Sequence, residues 1–501
     1  MKKRILLAGC IFLLFSCSNE KKENDTDTLK SDNEVDDSVI DVDFESEEKD
    51  DQEQNDDSEE TDLFEGESPD ESFEVVYDGD FIVEKHWTQQ WGTRLDDRVA
   101  VIGEIKNDLI YISSATYGKM GEINYYNGDS VVQLFNRNGE AQNLIQWGTG
   151  AFDTLGELFV EEDGTIFTVG LTEGEFEGFI NAGSIEGNPC TDCHDVFITK
   201  MDKDLNIIKT VQFGTPSKDR FYRIMKSGNE EELIVYGSIE GKFEENEYFG
   251  NSDVAIFVFD YDLVMKNTFI FGTEKYEYAK EMFHDSEGNV YISGITNGNL
   301  AKETEENHSV QAFYDDFLIK LDSNFNVVWK KQYFHKDVAC QSHEIKEYSD
   351  GKMYSRGTCA EVREGLNRPC YYFRKIDKNG DELFFKKWSY DDFIDVFQFE
   401  FLNGLIFFSG YRNETVVPGK DSVSRLVLSA TTLDGETVFE YLWGTDEKDY
   451  VNSIAIDGNE IFITGTTTGD LDGNTNLTGE KPDYEENASD FFMTKFVVKE
   501  K

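Results

Sequence analysis

The sequence predicts an all-β fold, a seven-bladed β-propeller whose blades are four-stranded antiparallel sheets. Three observations support this prediction. A short phrase built on an aromatic residue, glycine and threonine recurs along the 501 residues, an apolar run ending in glycine recurs between its copies, and tight-turn pairs precede most of those runs. Helical periodicity is nearly absent, so helix-containing classes are excluded.

The recurring phrase sets the number of blades. Its clear copies are QWGTRLDD from Gln90, QWGTGAFD from Gln146, QFGTPSKD from Gln212, IFGTEKYE from Ile270 and LWGTDEKD from Leu442. Successive glycines lie 56, 66 and 58 residues apart, and the last gap of 172 residues fits three further units. QYFHKD and KWSYDD stand where two altered copies belong. Seven units of about 58 residues therefore fill 73–501, a period typical of propellers, solenoids or arrays.

Each unit contains signals for four strands. Runs such as IFTVG (Ile166–Gly170) and IFITG (Ile461–Gly465) read as strands, and the pairs Asp163-Gly164 and Asp457-Gly458 favour two-residue hairpins. A second run follows a variable loop, and another tight turn leads to a strand that ends in the phrase. Two β-sandwiches would not need one period, and solenoid coils are usually far shorter. Six or eight blades remain alternatives to seven.

The phrase itself is interpreted as a corner at the end of the outermost strand. Its glycine permits a backbone turn that is closed to side chains, and its threonine and later acid can bond exposed amides. No histidine or lysine accompanies the phrase regularly. A structural role is therefore preferred to a ring of catalytic Thr–Asp pairs.

The two chain ends are predicted to complete one blade together. The chain finishes with DFFMTKFVVKEK, which supplies only the third strand of unit seven, whereas DFIVEKHWTQQWGT from Asp80 begins before the first full unit. Residues near 81–90 should therefore pair with the C-terminal strand. This pairing would remove two exposed sheet edges.

Residues 1–17 have the features of a lipoprotein signal peptide. Lys2, Lys3 and Arg4 precede an apolar run that is too short to span a bilayer, and LLFSC resembles a bacterial lipobox in which Cys17 is acylated. LLAGC, ending at Cys10, is an alternative lipobox. A plain secretory signal is the other alternative.

An acidic segment separates this signal from the repeats. Residues 18–72 contain 25 Asp and Glu against 4 Lys, and large apolar residues are sparse. Such a segment cannot bury enough surface to offset its ordering entropy, so a disordered acidic linker is expected before the propeller of residues 73–501. The formal net charge of -55 argues against a nucleic-acid partner, because phosphate repels a polyanion.

The combination of QWGT…D, DGNEIFITG, TTTGDLDGNTN and SDFFMTKF is similar to the SBBP-type β-propeller repeat of exported bacterial proteins. The resemblance covers roughly residues 87–501 and is weakest in units five and six. It implies a lipid-anchored propeller at the bacterial outer membrane or cell surface, with the membrane reached through the lipid on Cys17. It supplies no catalytic residues.

Two groups of cysteines are candidate sites. CTDCH places Cys190, Cys193 and His194 at a spacing that would allow thioether attachment of haem with an axial histidine. A local disulfide between Cys190 and Cys193 is the preferred interpretation, and haem is not expected. Unit five should hold one disulfide within a set of three cysteines, whose connectivity the sequence leaves open: Cys340, Cys359 and Cys370.

A third candidate site is DLDGNTN in unit seven. Side-chain oxygens stand at alternate positions, as they do in calcium loops: Asp470, Asp472, Asn474 and Asn476. A polar loop with Asx turns is the alternative. Calcium is therefore a candidate ligand, and no other cofactor is expected.

The sequence contains no recognisable catalytic motif, and its six histidines occupy no common repeat position. We therefore expect that the protein is not an enzyme. It would instead present rim loops or the channel mouth, as a binding or scaffold module, to a glycan, peptide or protein. The alternative function is an exported propeller enzyme or a c-type haem protein that uses Cys190, Cys193 and His194.

Overall fold

The computed structural model describes most of the chain from residue 74 onward. The described ranges are 74–78, 81–121, 127–183, 193–228, 231–301, 314–334, 338–363, 366–389, 395–414, 423–475 and 488–500. Within these ranges the regular secondary structure consists of β-strands joined by turns and loops, and the one helical element is a 3₁₀ turn at Leu471–Gly473. The predicted lipid-attachment residue Cys17 and the predicted acidic linker lie outside the described residues.

The strands form seven sheets that follow one another around a ring, as predicted. Two strands precede the first blade: β1 (Glu74–Asp78) and β2 (Phe81–Trp91). Blade 1 comprises β3 (Asp97–Lys106), β4 (Leu109–Thr116), β5 (Asp129–Asn136) and β6 (Ala141–Trp147). Blade 2 comprises β7 (Asp153–Val160), β8 (Ile166–Thr172), β9 (Asp195–Met201) and β10 (Ile207–Phe213). Blade 3 comprises β11 (Asp219–Lys226), β12 (Glu232–Ile239), β13 (Asp253–Asp260) and β14 (Met265–Phe271).

The remaining blades repeat the same order of strands. Blade 4 comprises β15 (Glu277–His284), β16 (Val290–Thr296), β17 (Asp315–Leu321) and β18 (Val327–Tyr333). Blade 5 comprises β19 (Val338–Glu347), β20 (Met353–Arg363), β21 (Leu366–Ile376) and β22 (Glu382–Ser389). Blade 6 comprises β23 (Asp395–Leu402), β24 (Leu405–Glu414), β25 (Val423–Thr432) and β26 (Thr437–Trp443). Blade 7 contains β27 (Asp449–Asp457), β28 (Glu460–Thr467) and β29 (Asp490–Glu500).

Blade 7 is completed by the N-terminal strand β2, as predicted. Strand β2 pairs antiparallel with β29, from Phe81 opposite Glu500 to Trp91 opposite Phe491. Val83 and Trp87 of β2 are buried in the blade interfaces. The strand β1 adds a fifth member outside β2, which the sequence analysis did not anticipate. Both termini of the ring are therefore held in one sheet.

Neighbouring blades pack through apolar side chains. Between blades 2 and 3, Phe167 and Val169 of β8 lie in one buried cluster with Phe221 of β11 and Phe257 of β13. Each such side chain, when fully buried, contributes roughly 1.5–3 kcal/mol relative to exposure. Strands with apolar residues on both faces are required by this arrangement, because both faces of each sheet are covered.

The recurring phrase forms the corner between blades. The backbone N–H and hydroxyl of Thr149 both donate to the carboxylate of Asp153, at 2.5 and 2.9 Å. The same threonine–acid contacts occur in the four other clear copies: Thr93–Asp97, Thr215–Asp219, Thr273–Glu277 and Thr445–Asp449. The predicted bonding of exposed amides by the later acid is thus confirmed.

The corner glycine makes room for two carboxylates. A Cβ added to Gly148 would lie 2.5 Å from Oδ2 of Asp153 and 3.1 Å from Oδ1 of Asp129. Two aspartates enclose Gly92 in the same way, Asp97 and Asp490. Gly214 is enclosed by Asp195 and Asp219. The glycine is therefore needed because a side chain would collide with the acids at the blade junction.

The glutamine of the phrase has a role that the sequence analysis did not assign. Gln146 donates to the carbonyl of Gly118 at 2.9 Å and to Asp129 at 2.7 Å, and its own oxygen accepts from the N–H of Met120. Equivalent contacts are made by Gln90, Gln212 and Gln332. This glutamine fixes the loop between the second and third strands of its own blade.

The first hairpin of a blade is not always the predicted two-residue type. Asn403-Gly404 does form a two-residue loop between Leu402 and Leu405, with positive φ at both positions. At Asp163-Gly164 the closing contact joins Glu161 to Thr165, so three residues form the loop, with Gly164 at φ +87°. Only glycine adopts that left-handed position without strain.

Candidate active site in the central channel

The first strand of each blade lines the axis of the ring. Contacts between consecutive first strands include β3 with β7, β7 with β11, β15 with β19 and β23 with β27. In all seven blades a register irregularity falls two or more residues into that strand, as between Phe221 and Arg223, Ala279 and Glu281, or Ser342 and Glu344. Such bulges redirect side chains and are common beside functional sites.

Three charged residues bridge blades 2, 3 and 4 at this level. The guanidinium of Arg223 lies 3.1 Å from Oε1 of Glu157 and 3.3 Å from Oε2 of Glu281. Glu157 also accepts from the backbone N–H of Ile224, and Glu281 accepts from the hydroxyl of Tyr236. Arg223 retains 28% of its side-chain exposure, so the cluster is reachable by solvent.

A second charged cluster joins blades 5 and 6. Glu344 is buried and accepts from Arg356 at 3.1 Å, from Lys346 and from the backbone N–H of Phe399. Burial alone would raise the pKa of Glu344, but Lys346 and Arg356 together hold it below its usual value. Lys346 also pairs with Glu400. This cluster is fully compensated and holds two blades together.

Lys280 occupies the bulge position of blade 4 and differs from these paired charges. Among the described residues, its ammonium has no ion pair or hydrogen bond. Burial lowers the pKa of Lys280 to about 8, and the positive charges of Arg220 and Arg223 add to this effect. A substantial neutral fraction of the amine therefore exists near neutral pH, as a general base or nucleophile requires.

His343 occupies the same bulge position in blade 5. Its Nε2 lies 2.9 Å from the hydroxyl of Thr358. Burial lowers the pKa of His343 well below its ordinary value, and the charges of Arg356 and Lys280 contribute in the same direction. His343 is therefore a neutral imidazole at neutral pH, close enough to Lys280 to respond to its charge.

Glu281, next to Lys280, supplies a third shifted group. Burial raises the pKa of Glu281 to about 7, against the attraction of Arg223, and the carboxylates of Glu157 and Glu344 raise it further. A carboxyl group that titrates near neutrality can donate a proton, while the neutral amine of Lys280 can accept one. Strongly shifted titratable groups that lie together mark candidate catalytic sites.

The start of the same inner strands carries aromatic and charged groups. Arg220, in blade 3, pairs with Glu240, and its guanidinium lies 5.2 Å above the ring of Tyr278. The rings of Tyr276 and Tyr278 are nearly parallel, with centroids 6.2 Å apart. Aromatic surfaces with a few placed polar groups are typical of ligand sites.

None of these channel residues was predicted from the sequence as a functional group, because they form no motif within a single loop and the histidines share no common repeat position. The usable signal was a charged residue four positions after the corner acid: Glu157 after Asp153, Arg223 after Asp219 and Glu281 after Glu277. Because each blade contributes one or two residues, no local motif is formed.

The CTDCH segment is only partly described. Cys193 is disulfide-bonded, while Cys190 lies outside the described residues. His194 places its Nε2 3.0 Å from Glu173. A sulfur held in a disulfide cannot form a thioether bond, so the arrangement does not provide the attachment that a c-type haem requires.

In unit five, the structure has a disulfide between Cys340 and Cys359, and Cys370 is a buried thiol.

Two of the candidate calcium residues make other contacts. Asp472 lies 2.9 Å from the ammonium of Lys85 and accepts from Thr88, and Asn474 donates to backbone oxygens. Asn476 lies outside the described residues. Among the described residues no group of three or more His, Cys, Asp or Glu is arranged to hold a metal ion.

In the described part of the chain, no helix has the length and apolar character needed to cross a membrane.

No family model and no curated protein matches the sequence. Similar solved structures include the polysaccharide lyase Uly1, with 10% identity over 80% of this chain and 89% of that chain and a TM-score of 0.46. An ulvan lyase bound to -[GlcA(1-4)Rha3S]- has 12% identity over 75% and 93%, with a TM-score of 0.46.

The α-L-arabinofuranosidase Arb93A from Fusarium graminearum is also similar, with 10% identity over 73% of this chain and 99% of that chain and a TM-score of 0.41. These similar structures are enzymes, and they contradict the prediction that the chain is not an enzyme. That prediction rested on the lack of a local motif, whereas a ring can bring together residues of separate blades. At such low identity the likeness concerns the fold, and no substrate or residue role is carried over.

Proposed function

We propose that the protein is an exported propeller enzyme that transfers protons on an anionic glycan in its central channel. The observation that carries this proposal is the grouping of Lys280, Glu281 and His343 on two adjacent inner strands, with pKa values shifted toward or below neutrality. Lys280 acts as the base, since it lacks an acidic partner among the described residues. Glu281 acts as the acid.

The cations around Lys280 favour an anionic substrate. Arg220 and Arg223 lower the pKa of Lys280 through their charge. Both guanidinium groups also pair with glutamates, so these three basic groups lie close together among carboxylates in a strongly acidic chain. A carboxylate or sulfate group there would gain charge-assisted contacts. The long-range repulsion from the remaining acidic surface is screened beyond about 8–10 Å at ordinary salt concentration.

The aromatic mouth of the channel favours a sugar chain over a compact anion. Tyr276 and Tyr278 present nearly parallel rings beside Arg220. Flat aromatic faces can support the apolar faces of sugar rings, while the guanidinium can bind an acidic substituent. A glycan with acidic groups is therefore the ligand class that uses both features.

Activity on polyuronates tests this proposal. New reducing ends should be released from a polyuronate by the intact protein, and Lys280→Met should lower kcat by at least about 10²-fold, as loss of a general base does. Lys266→Met is the matched control, because Lys266 lies on the outermost strand β14 and pairs with Asp260. No release from any polyuronate, together with no binding, would refute the proposal, and equal activity in both variants would refute the role of Lys280.

The same proposal includes anchoring at the cell surface. The signal-like residues 1–17, the Ser16-Cys17 pair and the acidic segment 18–72 support acylation of Cys17 and display of the 73–501 domain from the bacterial outer membrane. The repeat phrase supports placement among SBBP-type propellers. Mass spectrometry of membrane-extracted protein should find an acylated N-terminal cysteine at position 17. A mature form that begins elsewhere contradicts this part of the proposal.

A further inference from the structure

Most blades share a row of three residues across their first three strands. In blade 7, Asp449 lies opposite Thr467, which lies opposite Asp490. The same acid–threonine–acid row occurs in blade 1 (Asp97, Thr116, Asp129), blade 2 (Asp153, Thr172, Asp195) and blade 4 (Glu277, Thr296, Asp315). The threonine hydroxyl donates to the first acid, as from Thr296 to Glu277 at 2.6 Å.

Blade 5 has three cysteines in this row. Cys340 lies opposite Cys359, and Cys359 lies opposite Cys370. The correspondence follows from the bulge, since His343 stands three residues after Cys340 just as Lys280 stands three residues after Glu277. The disulfide between Cys340 and Cys359 therefore takes the place of the acid–threonine hydrogen bond of other blades.

The three side chains lie on one face of the sheet, because directly opposed residues of antiparallel strands point to the same side. All three are buried in one cluster, with Tyr372 beside them. Cys359 is thus next to Cys340 on one side and next to the thiol of Cys370 on the other. Opposed Cα atoms in antiparallel pairs are about 4.5–5.5 Å apart, which overlaps the range that disulfides span.

We propose that Cys359 exchanges its disulfide partner between Cys340 and Cys370. The thiol of Cys370 loses a proton, its thiolate attacks Sγ of Cys359, and the new sulfur–sulfur bond forms as the bond to Cys340 breaks. Cys340 leaves as a thiolate and takes up a proton, so the number of electrons is unchanged and no oxidant is required. Burial in apolar surroundings disfavours the thiolate, so the exchange is slow at neutral pH and accelerates as pH rises.

The exchange changes which strand is cross-linked. With Cys340 bonded to Cys359, the start of β19 is fixed to β20. With Cys359 bonded to Cys370, the cross-link joins β20 to β21, and the start of β19 keeps its hydrogen bonds and packing but has no covalent link to β20. Because β19 carries His343 and Glu344, the two forms differ in the rigidity of a strand that lines the channel. This inference concerns the cysteines alone and does not depend on the proposed enzymatic activity.

Peptide mapping of the full chain tests the exchange directly. Trypsin separates the cysteines into peptides 337–346, 357–363 and 364–374, since the bond between Arg368 and Pro369 resists cleavage. Native protein held at pH 8.5 with catalytic thiol and then alkylated should yield both linked pairs, 337–346 with 357–363 and 357–363 with 364–374. The second pair should reach on the order of a tenth of linked Cys359 or more. Detection of only the first pair under all these conditions would overturn the proposal.

Two variants separate exchange from misfolding. Cys340→Ser should form the Cys359–Cys370 disulfide, and Cys370→Ser should retain only Cys340–Cys359. In the second variant, amide exchange at residues 338–342 should become slower than in the wild-type protein at pH 8.5, because β19 can no longer be released. If Cys370 of the Cys340→Ser variant is fully alkylated after oxidation, or if amide exchange is identical in wild type and Cys370→Ser, the proposal is wrong.

Discussion

The corners and the channel use the repeat in opposite ways. At the corners, five blade junctions have the same glycine, threonine and acid, and each makes the same contacts. In the channel, equivalent positions carry Glu157, Arg223, Glu281 and Glu344 in successive blades. Positions that meet the same packing requirement in these blades keep the same type of residue. Positions that converge on one axis can each contribute a different group to a single centre.

The ring closure gives the largest expected effect on the structural side of this comparison. Deleting residues 73–90 removes most of β2 and leaves blade 7 with an open edge and without Val83 and Trp87. We expect a loss of at least about 5 kcal/mol in unfolding free energy, since each large buried side chain contributes several kcal/mol. Denaturant unfolding measures it.

A shorter deletion is the control for the closure. Removing residues 73–78 takes away only β1, which pairs with the outer edge of β2. Its effect should be a small fraction of that of the longer deletion. An unchanged denaturant midpoint after deletion of residues 73–90 would contradict the closure.

A pair of glycines tests the corner with a smaller expected effect. Gly148→Ala should destabilise by roughly 2–4 kcal/mol, because the new Cβ meets the carboxylates of Asp153 and Asp129. Gly150→Ala is the matched control two residues away, where a Cβ meets no atom within 4 Å. Thermal unfolding of both variants makes the comparison. Equal losses in the two would contradict this explanation, because the carboxylates crowd only Gly148.

The corner acids predict an unusual pH dependence. Burial raises the pKa of Asp153 to about 7 and that of Asp449 to about 6. A carboxyl group whose folded pKa exceeds its unfolded value contributes stability below the unfolded pKa near 4 and loses it as pH rises through the folded pKa. The melting temperature should therefore fall between pH 5 and pH 8.

The Asp153→Asn variant isolates the contribution of one corner to this trend. It should flatten the pH dependence by on the order of 2 kcal/mol, since the amide cannot ionise. Asp204→Asn, at an exposed turn, controls for the general loss of negative charge. If both variants change the slope equally, overall charge repulsion and not the corner produces the trend.

The corner was predictable from sequence because its residues are adjacent in the chain and repeat. The phrase QWGTGAFD contains Gly148, Thr149 and Asp153, so one copy shows the whole corner. The closure by β2 and β29 was predictable for the same reason, because the phrase at Gln90 has a strand before it and no blade of its own. The prediction of a two-residue hairpin at Asp163-Gly164 was wrong, because such a pair fits a three-residue loop equally well.

The channel was not predictable in the same way. Lys280 and His343 are 63 residues apart and lie in strands whose surrounding residues are unremarkable in sequence. Their pKa values depend on burial and on charges from neighbouring blades, which include Arg223 of blade 3 for Lys280 and Lys280 of blade 4 for His343. Only the ring geometry brings these groups together, so no local motif in the sequence indicates them.

The pKa of the Lys280 amine tests the central claim most directly. Competitive labelling of lysine amines across a pH series, read by mass spectrometry of the peptide that contains Lys280, reports the pH at which half of the amine is deprotonated. Lys266, on the outer strand β14, provides an internal reference within the same molecule. The account predicts a midpoint for Lys280 at about 8. A midpoint near the ordinary lysine value of 10.5 would contradict a base in the channel.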